Sequence, residues 1–203
     1  MDWKKQNANV YDKSATEFSK HFTELGPRVE DIERGLMLAG RQDGARVIEL
    51  GCGDGRDAFE IIKRVKQYEG IDSSEGLLDI AKKKNPKGTF VLNDAISYEY
   101  PKKLDTIFAF ASLLHLDQND IYEVFEKASR ALRLGGIFYI SLKERSQYIE
   151  KLKKDKYGER MFYFYNPEII KHLAGKSFES IYEDHQKHGD EDWFTIALKK
   201  KSV

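Results

Sequence analysis

Residues 47–55 read V-I-E-L-G-C-G-D-G, with three glycines at alternate positions where a short apolar run gives way to a helical pattern. Without a Cβ the backbone can turn sharply and let a ligand lie against it, and the helix start that follows offers free N–H donors. One glycine would suffice for a turn, so three in alternation point to a cradle for a bound molecule. A dinucleotide fingerprint, G-x-G-x-x-G, is not satisfied, because its third glycine would fall at position 56, which is Arg56. The next apolar run ends at Asp72, where a carboxylate can accept both hydroxyls of a ribose. Taken alone Asp72 would also serve as the N-cap of a following helix; paired with the glycine loop, the ribose reading gains weight. Cys52, the one cysteine, lies inside the loop and reads as a small residue tolerated between glycines rather than as a nucleophile. One cysteine also rules out an intramolecular disulfide and a four-cysteine zinc site.

These residues must be held by regular elements, and the hydrophobic pattern supplies them. Ser14 to Phe22 and Val29 to Ala39 read as helices separated by Gly26-Pro27. From residue 47 short apolar runs alternate with helical periodicity: strands at 47–50, 68–71, 89–92, 105–111 and 137–142, and helices at 57–65, 76–84 and 121–132. In the first of these helices Phe59, Ile62 and Val65 are expected to face inward. Strand, helix, strand in repetition requires parallel pairing with crossovers. The expectation is therefore a doubly wound α/β fold with a mostly parallel seven-stranded sheet and helices on both faces. Beyond residue 142 the rhythm changes. Ser146 to Lys154 reads as a charged helix and Pro167 to Leu173 as a short helix with proline in its first turn. Phe178 to Glu183 and Trp193 to Leu198 read as strands of a C-terminal antiparallel hairpin, separated by a polar stretch.

Composition bounds the function. The 203 residues carry 34 Lys+Arg against 34 Asp+Glu, a formal charge of zero, so no global field draws the chain to nucleic acid or anionic lipid. Hydrophobic residues at 40%, with 12 Phe, 11 Tyr and 2 Trp, suffice for one packed core at this length. The polar N-terminus lacks the apolar stretch of a signal peptide and no run approaches a membrane span. A cytoplasmic, soluble protein of one domain is expected, as monomer or homodimer, with no membrane partner and nucleic acid disfavoured.

Five motifs, in order, resemble class I S-adenosylmethionine (SAM)-dependent methyltransferases. E-L-G-C-G-D-G is similar to the family's acid-x-G-x-G-x-G loop, and E-G-I-D-S-S at 69–74 to its ribose-binding acid. N-D-A at 93–95 is similar to its adenine-side acid, D-T-I-F-A-F-A-S-L-L-H-L at 105–116 to its fourth strand, and A-L-R-L-G-G-I-F-Y-I-S at 131–141 to the segment leading into its fifth. The resemblance covers about residues 45–142. It implies SAM as cofactor and S-adenosylhomocysteine (SAH) as product, with Gly51, Cys52, Gly53 and Gly55 under the methionine portion and Glu49 near its amino group. It further implies Asp72 on the ribose with Ser73 beside it, Asp94 and Ala95 at the adenine, and Ala111 near the sulfonium. Tyr11, in a Y-D-x-x-A context, resembles residues that close over the SAM carboxylate, and could equally be a packing aromatic. Residues 1–44 would form a helical cap, 45–142 the cofactor core and 143–203 a lid and hairpin.

Methyl transfer is an in-line displacement that needs alignment and exclusion of water, with a general base only if the acceptor must lose a proton. His115 is the best-placed imidazole for that role, with capping or packing of its loop as the alternative. The other histidines lack ligand spacing with acids, and no catalytic metal is indicated. Tyr148, Tyr157 and Phe162 to Tyr165, with Arg145 and Arg160, would form an aromatic and cationic wall suited to a small aromatic or anionic acceptor, or a packed lid. A SAM-binding protein without catalysis, or a methyltransferase of RNA or protein, are the alternatives to a small-molecule enzyme.

Overall fold

The computed structural model describes residues 2–41 and 44–202; Met1, Val203 and positions 42 and 43, which fall within the domain boundaries expected above, lie outside the described residues. A seven-stranded sheet is built from β1 (Arg46–Leu50), β2 (Gln67–Asp72), β3 (Thr89–Leu92), β4 (Leu104–Phe110), β5 (Leu132–Lys143), β8 (Phe178–His188) and β9 (Glu191–Lys200), in the order β3-β2-β1-β4-β5-β9-β8. The first five are parallel, and β9 runs antiparallel between β5 and β8. From β1 the chain winds outward to β2 and β3, then returns to β4 and winds the other way. This reversal opens a crevice at the carboxyl ends of β1 and β4, where doubly wound sheets bind ligands.

Alternation along β4 shows how both faces are covered. Ile107 and Ala109 join one cluster with Ile121, Val124 and Phe125 of α6 (Gln118–Ala131), while Phe108 and Phe110 join another with Ile32 and Leu36 of α3 (Val29–Leu38) and Ile61 of α4 (Ala58–Ile62). All seven residues of the strand are buried, as expected where helices cover both sides.

Several elements depart from the sequence reading. Phe59 does not face inward: α4 buries Ala58 and Ile61, and Phe59 is 53% exposed with the Lys63 ammonium 3.6 Å from its ring centroid. The charged helix expected over Ser146 to Lys154 is instead β6 (Ile149–Asp155), paired antiparallel with β7 (Gly158–Phe164). Lys, Glu and Leu favour helix locally, but the aromatic β7 offers a strand partner, and pairing across the hairpin outweighs propensity. The polar stretch 184–192 continues β8 and β9 to the pair His188↔Glu191 around a turn at Gly189 (φ 60°); its charged residues are those of an exposed edge strand. Before α2 (Ala15–Leu25) lies a further helix, α1 (Trp3–Lys13), capped by Asp2 through a 3.2 Å bond from the Lys5 N–H. The expected helices at 76–84 and 167–173 are α5 (Glu75–Lys84) and α7 (Pro167–Ala174), whose N-caps Ser74 and Asn166 accept from Leu77 and Ile169 N–H. No helix among the described residues is long and apolar enough to cross a membrane.

Candidate active site

A cavity of about 1100 Å³ lies over the carboxyl ends of β1, β2, β4 and β5. All the site residues expected from the sequence line it except Gly55, which is turned into the protein: a Cβ there would lie 2.6 Å from Asn85 Nδ2, and its carbonyl accepts from the same amide at 2.9 Å. Gly51, at φ 71°, crosses β4's outlet so closely that a Cβ would stand 2.2 Å from Ser112 Cβ. Ser112 secures the crossing by donating to Leu50 O at 2.6 Å. The loop is thus pinned to β4's end as well as to β2, where Gly51 and Cys52 N–H both donate to Ile71 O.

Three carboxylates are spread along the floor. Asp72 accepts from Gly53 N–H at 2.8 Å and Ser74 N–H at 2.9 Å, one bond per oxygen, which leaves further lone pairs on both oxygens. Burial raises its carboxyl against those donors. At Asp94 burial pulls upward too, but the Ser97 and Ile96 N–H groups bonded to Oδ1 prevail and its carboxyl is held low. Glu49 is buried and accepts from Tyr68 Oη at 2.6 Å. Burial first, then neighbouring Asp57, raises it well above the ordinary range, a state that a cationic ligand group beside it would reverse. Asp57 itself is ion-paired with Arg28 (2.9 Å) and Arg56 (2.8 Å). Ser73 is exposed beside Asp72, and Ala95 follows Asp94 at the rim. Ala111 takes a positive φ of 54° at the end of β4, rare for a residue with a side chain; its N–H donates to Ser141 O at 2.9 Å. Cys52 is a buried thiol, raised chiefly by burial, the opposite of an activated thiolate.

The roof is α1 and β7. Asn7 bonds both backbone groups of Met161, accepting from its N–H and donating to its carbonyl, each at 2.9 Å. At its other end α1 supplies Asp12, whose Oδ1 accepts from Gly76 N–H at 2.7 Å in the first turn of α5. Between them Tyr11 and His115 meet: Tyr11 Oη lies 2.9 Å from His115 Nε2, Arg160 donates to Tyr11 Oη at 3.0 Å, and His115 Nδ1 lies 2.9 Å from Met161 O. Asn7 Nδ2 also lies 3.1 Å from His115 Nδ1, so in either tautomer both ring nitrogens have partners: Nδ1 with Met161 O or Asn7 Nδ2, and Nε2 with Tyr11 Oη. Burial pushes the imidazole down to about 4. His115 therefore meets the cavity as a neutral ring with both nitrogens engaged. Of the aromatic and cationic wall, Tyr157, Phe162 and Arg160 line the cavity. Tyr165 is instead buried, donating to Leu116 O, and Tyr148 stacks on Tyr163 outside it.

Sequence reasoning missed Asn7, Arg28, Asp57, Ser112, Lys143 and Trp193, which also belong to this cavity. None carries a local pattern. Only the placement of Asp57 two residues after Gly55, and of Lys143 at the end of the fifth strand, could have marked two of them.

The strand order, the crevice and the glycine turn define the class as the Rossmann-like methyltransferase fold. Similar solved structures share it: a SAM-dependent methyltransferase of Methanosarcina mazei (TM-score 0.72, 17% identity, covering 80% of this chain and 95% of that one), and the 1,6-didemethyltoxoflavin-N1-methyltransferase of Burkholderia thailandensis with its substrate and SAH bound (TM-score 0.71, 15% identity, 97% and 90%). In sequence the chain is 25% identical over 202 residues to an uncharacterized methyltransferase of Geobacillus sp., spanning 97% of this chain and 90% of that one. It is 30% identical over 131 residues to a trans-aconitate 2-methyltransferase of Rhizobium etli, about half of whose length (49%) it spans. Residues 47–136 match the methyltransferase-domain family. Over that core the chain matches the methyltransferase domain, and the proteins that share its fold include SAM-dependent methyltransferases.

The residues present fit that cofactor. The floor offers carboxylates with free lone pairs, glycine turns that leave the loop's upper surface bare, and a cavity larger than the ~300–1,000 Å³ of ordinary small-molecule sites, with room for a second molecule.

Proposed function

We propose that the enzyme methylates a small molecule, aromatic or anionic, in a cytoplasmic setting, with residues 1–44 as cap, 45–142 as cofactor core and 143–203 as acceptor-side lid. SAM, when bound, supplies an activated methyl group on a sulfonium. Asp72 accepts the ribose hydroxyls with Ser73 beside it, Asp94 and the Ala95 backbone meet the adenine, and Glu49 faces the amino group across Gly51, Cys52 and Gly53. Gly55 acts one step back, packing the loop onto α5. Ala111 brings the end of β4 toward the transferring methyl, and Tyr11 closes over the cofactor from above. The geometry favours a positioning role for His115 over the base role: both its ring nitrogens are already engaged, Nε2 with Tyr11 and Nδ1 with Met161 and Asn7. Two of the similar proteins are named for small-molecule substrates, trans-aconitate and 1,6-didemethyltoxoflavin, which supports the acceptor class. The observation that carries the reading is the single cavity shared by the Gly51–Gly53 turn, Asp72 and Asp94.

Titration calorimetry with SAH tests it. The wild-type protein should bind, and Asp72→Asn should weaken binding by at least about tenfold, the equivalent of ~1.4 kcal/mol and within the range for hydrogen bonds to a charged group. Equal affinities would overturn the ribose assignment.

A further inference from the structure

The end of the cavity away from the carboxylates is built differently. Lys143, the last residue of β5, pairs in register with Trp193 on β9, so their side chains share one face of the sheet, and both line the cavity. The Lys143 ammonium lies 5.6 Å from the ring centroids of both Trp193 and Phe162. On the other side Arg160, 8% exposed, sits 5.3 Å from Phe162, and its Nε is buried without a partner. His115 packs on the same ring at 4.7 Å. Around this chamber Lys143, Arg145 and Lys153 all converge on one carboxylate, Glu191, at 3.0, 2.7 and 2.7 Å, and Arg160 pairs with Asp155. Cations thus outnumber carboxylates by four to two. Lys143 is partly stripped of water, with a side chain 17% exposed, and its one carboxylate partner is shared with two competitors. A half-buried cation so placed stabilises a ligand that brings the missing negative charge.

Among the described residues the same chamber lacks a free base. Both ring nitrogens of His115 are engaged, Nε2 with Tyr11 Oη and Nδ1 with Met161 O and Asn7 Nδ2, and Glu191 and Asp155 are committed to cations. An acceptor that arrives as an anion can react here without surrendering a proton, and an anion is what the surplus of cations favours.

We propose that the acceptor is an organic carboxylate, held by Lys143 against the Trp193 and Phe162 rings beside the Arg160 guanidinium, and methylated on oxygen. The carboxylate's electron pair forms the bond to the methyl carbon as the carbon–sulfur bond breaks and its pair returns to sulfur. The opposite charges of the two reactants cancel in a methyl ester and a neutral thioether, and no proton moves. This inference rests on the methyltransferase reading above and narrows its acceptor.

The test uses matched acid and primary-amide pairs, aliphatic and aromatic, titrated calorimetrically into the full-length protein loaded with SAH, and then supplied with SAM with SAH release and ester mass as the readout. At least one acid should bind and be esterified while its amide binds about tenfold more weakly or worse. Lys143→Met should erase that preference while keeping wild-type SAH affinity, which shows the variant is folded, and Lys143→Arg should restore most of it. Equal binding of acid and amide, a preference that survives in Lys143→Met, or turnover confined to neutral phenols or amines would overturn the proposal. SAH binding with no acid accepted refutes this inference alone; absence of SAH binding refutes the cofactor reading beneath it.

Discussion

At the scale of single residues, the site is governed by what each polar atom is already bonded to. His115 is the clearest case. In an unfolded chain its imidazole titrates near its ordinary value of 6.5, whereas in the fold burial holds it down to about 4. A histidine whose folded value is depressed favours the native state fully above pH 6.5, and that contribution is lost as pH falls toward 4, because the unfolded chain takes up the proton first. At pH 5 the loss is about 2 kcal/mol. Asp72 and Glu49, raised by burial, contribute with the opposite sign in the acid range, so the comparison has to be with a variant. Urea denaturation of wild type and His115→Gln at pH 7.5 and pH 5 should show the gap between them shrinking by about that amount at the lower pH. A gap independent of pH would mean the ring titrates normally in the fold. Gly51 illustrates the other kind of residue-scale constraint, since its place is fixed by a clash with Ser112 as much as by any ligand.

Elements decide which of those residues meet, and here the reading from sequence was uneven for physical reasons. The five parallel strands and the loop were legible because buried strands need unbroken apolar runs and a ligand-bearing turn needs glycine, both local demands. Asp72 and Asp94 were legible because they follow strand ends. The acceptor side was not: β6 is Lys- and Glu-rich and becomes a strand only because β7 pairs with it, and Lys143 and Trp193 become neighbours only through the β5–β9 register. α1 carries only a narrow apolar face, Val10 and Tyr11 against Phe18 and Leu77, and is held as much by Asn7 on the Met161 backbone and Asp12 on α5. This makes a direct prediction. Asn7→Ala removes two hydrogen bonds and leaves the Met161 N–H unpaired while its carbonyl keeps His115 Nδ1, a cost of about 1–3 kcal/mol that falls on α1 rather than on the sheet. Hydrogen exchange followed by mass spectrometry should show faster exchange in α1 and β7, with the central strands β1 and β4 unchanged. Uniform acceleration across the chain would show that α1 is integral to the core.

For the whole molecule, the seating of α1 has a consequence in time. Asn7 and its partner Met161 are separated by 154 positions along the chain. Such a contact closes late, because the entropy of joining distant segments is spent before the contact repays it. α1 is made well before the β6–β7 hairpin, and until that hairpin has emerged it has only its contacts with α2 and α5. Sheet formation and competence to hold the cofactor should therefore be separate events: in stopped-flow refolding, far-ultraviolet circular dichroism should recover before SAH affinity does, and simultaneous recovery would contradict that order. A nascent chain released before residue 161 would carry the full glycine loop and its acids on an unroofed floor. A segment made before the sheet is thus the one that closes the site over it.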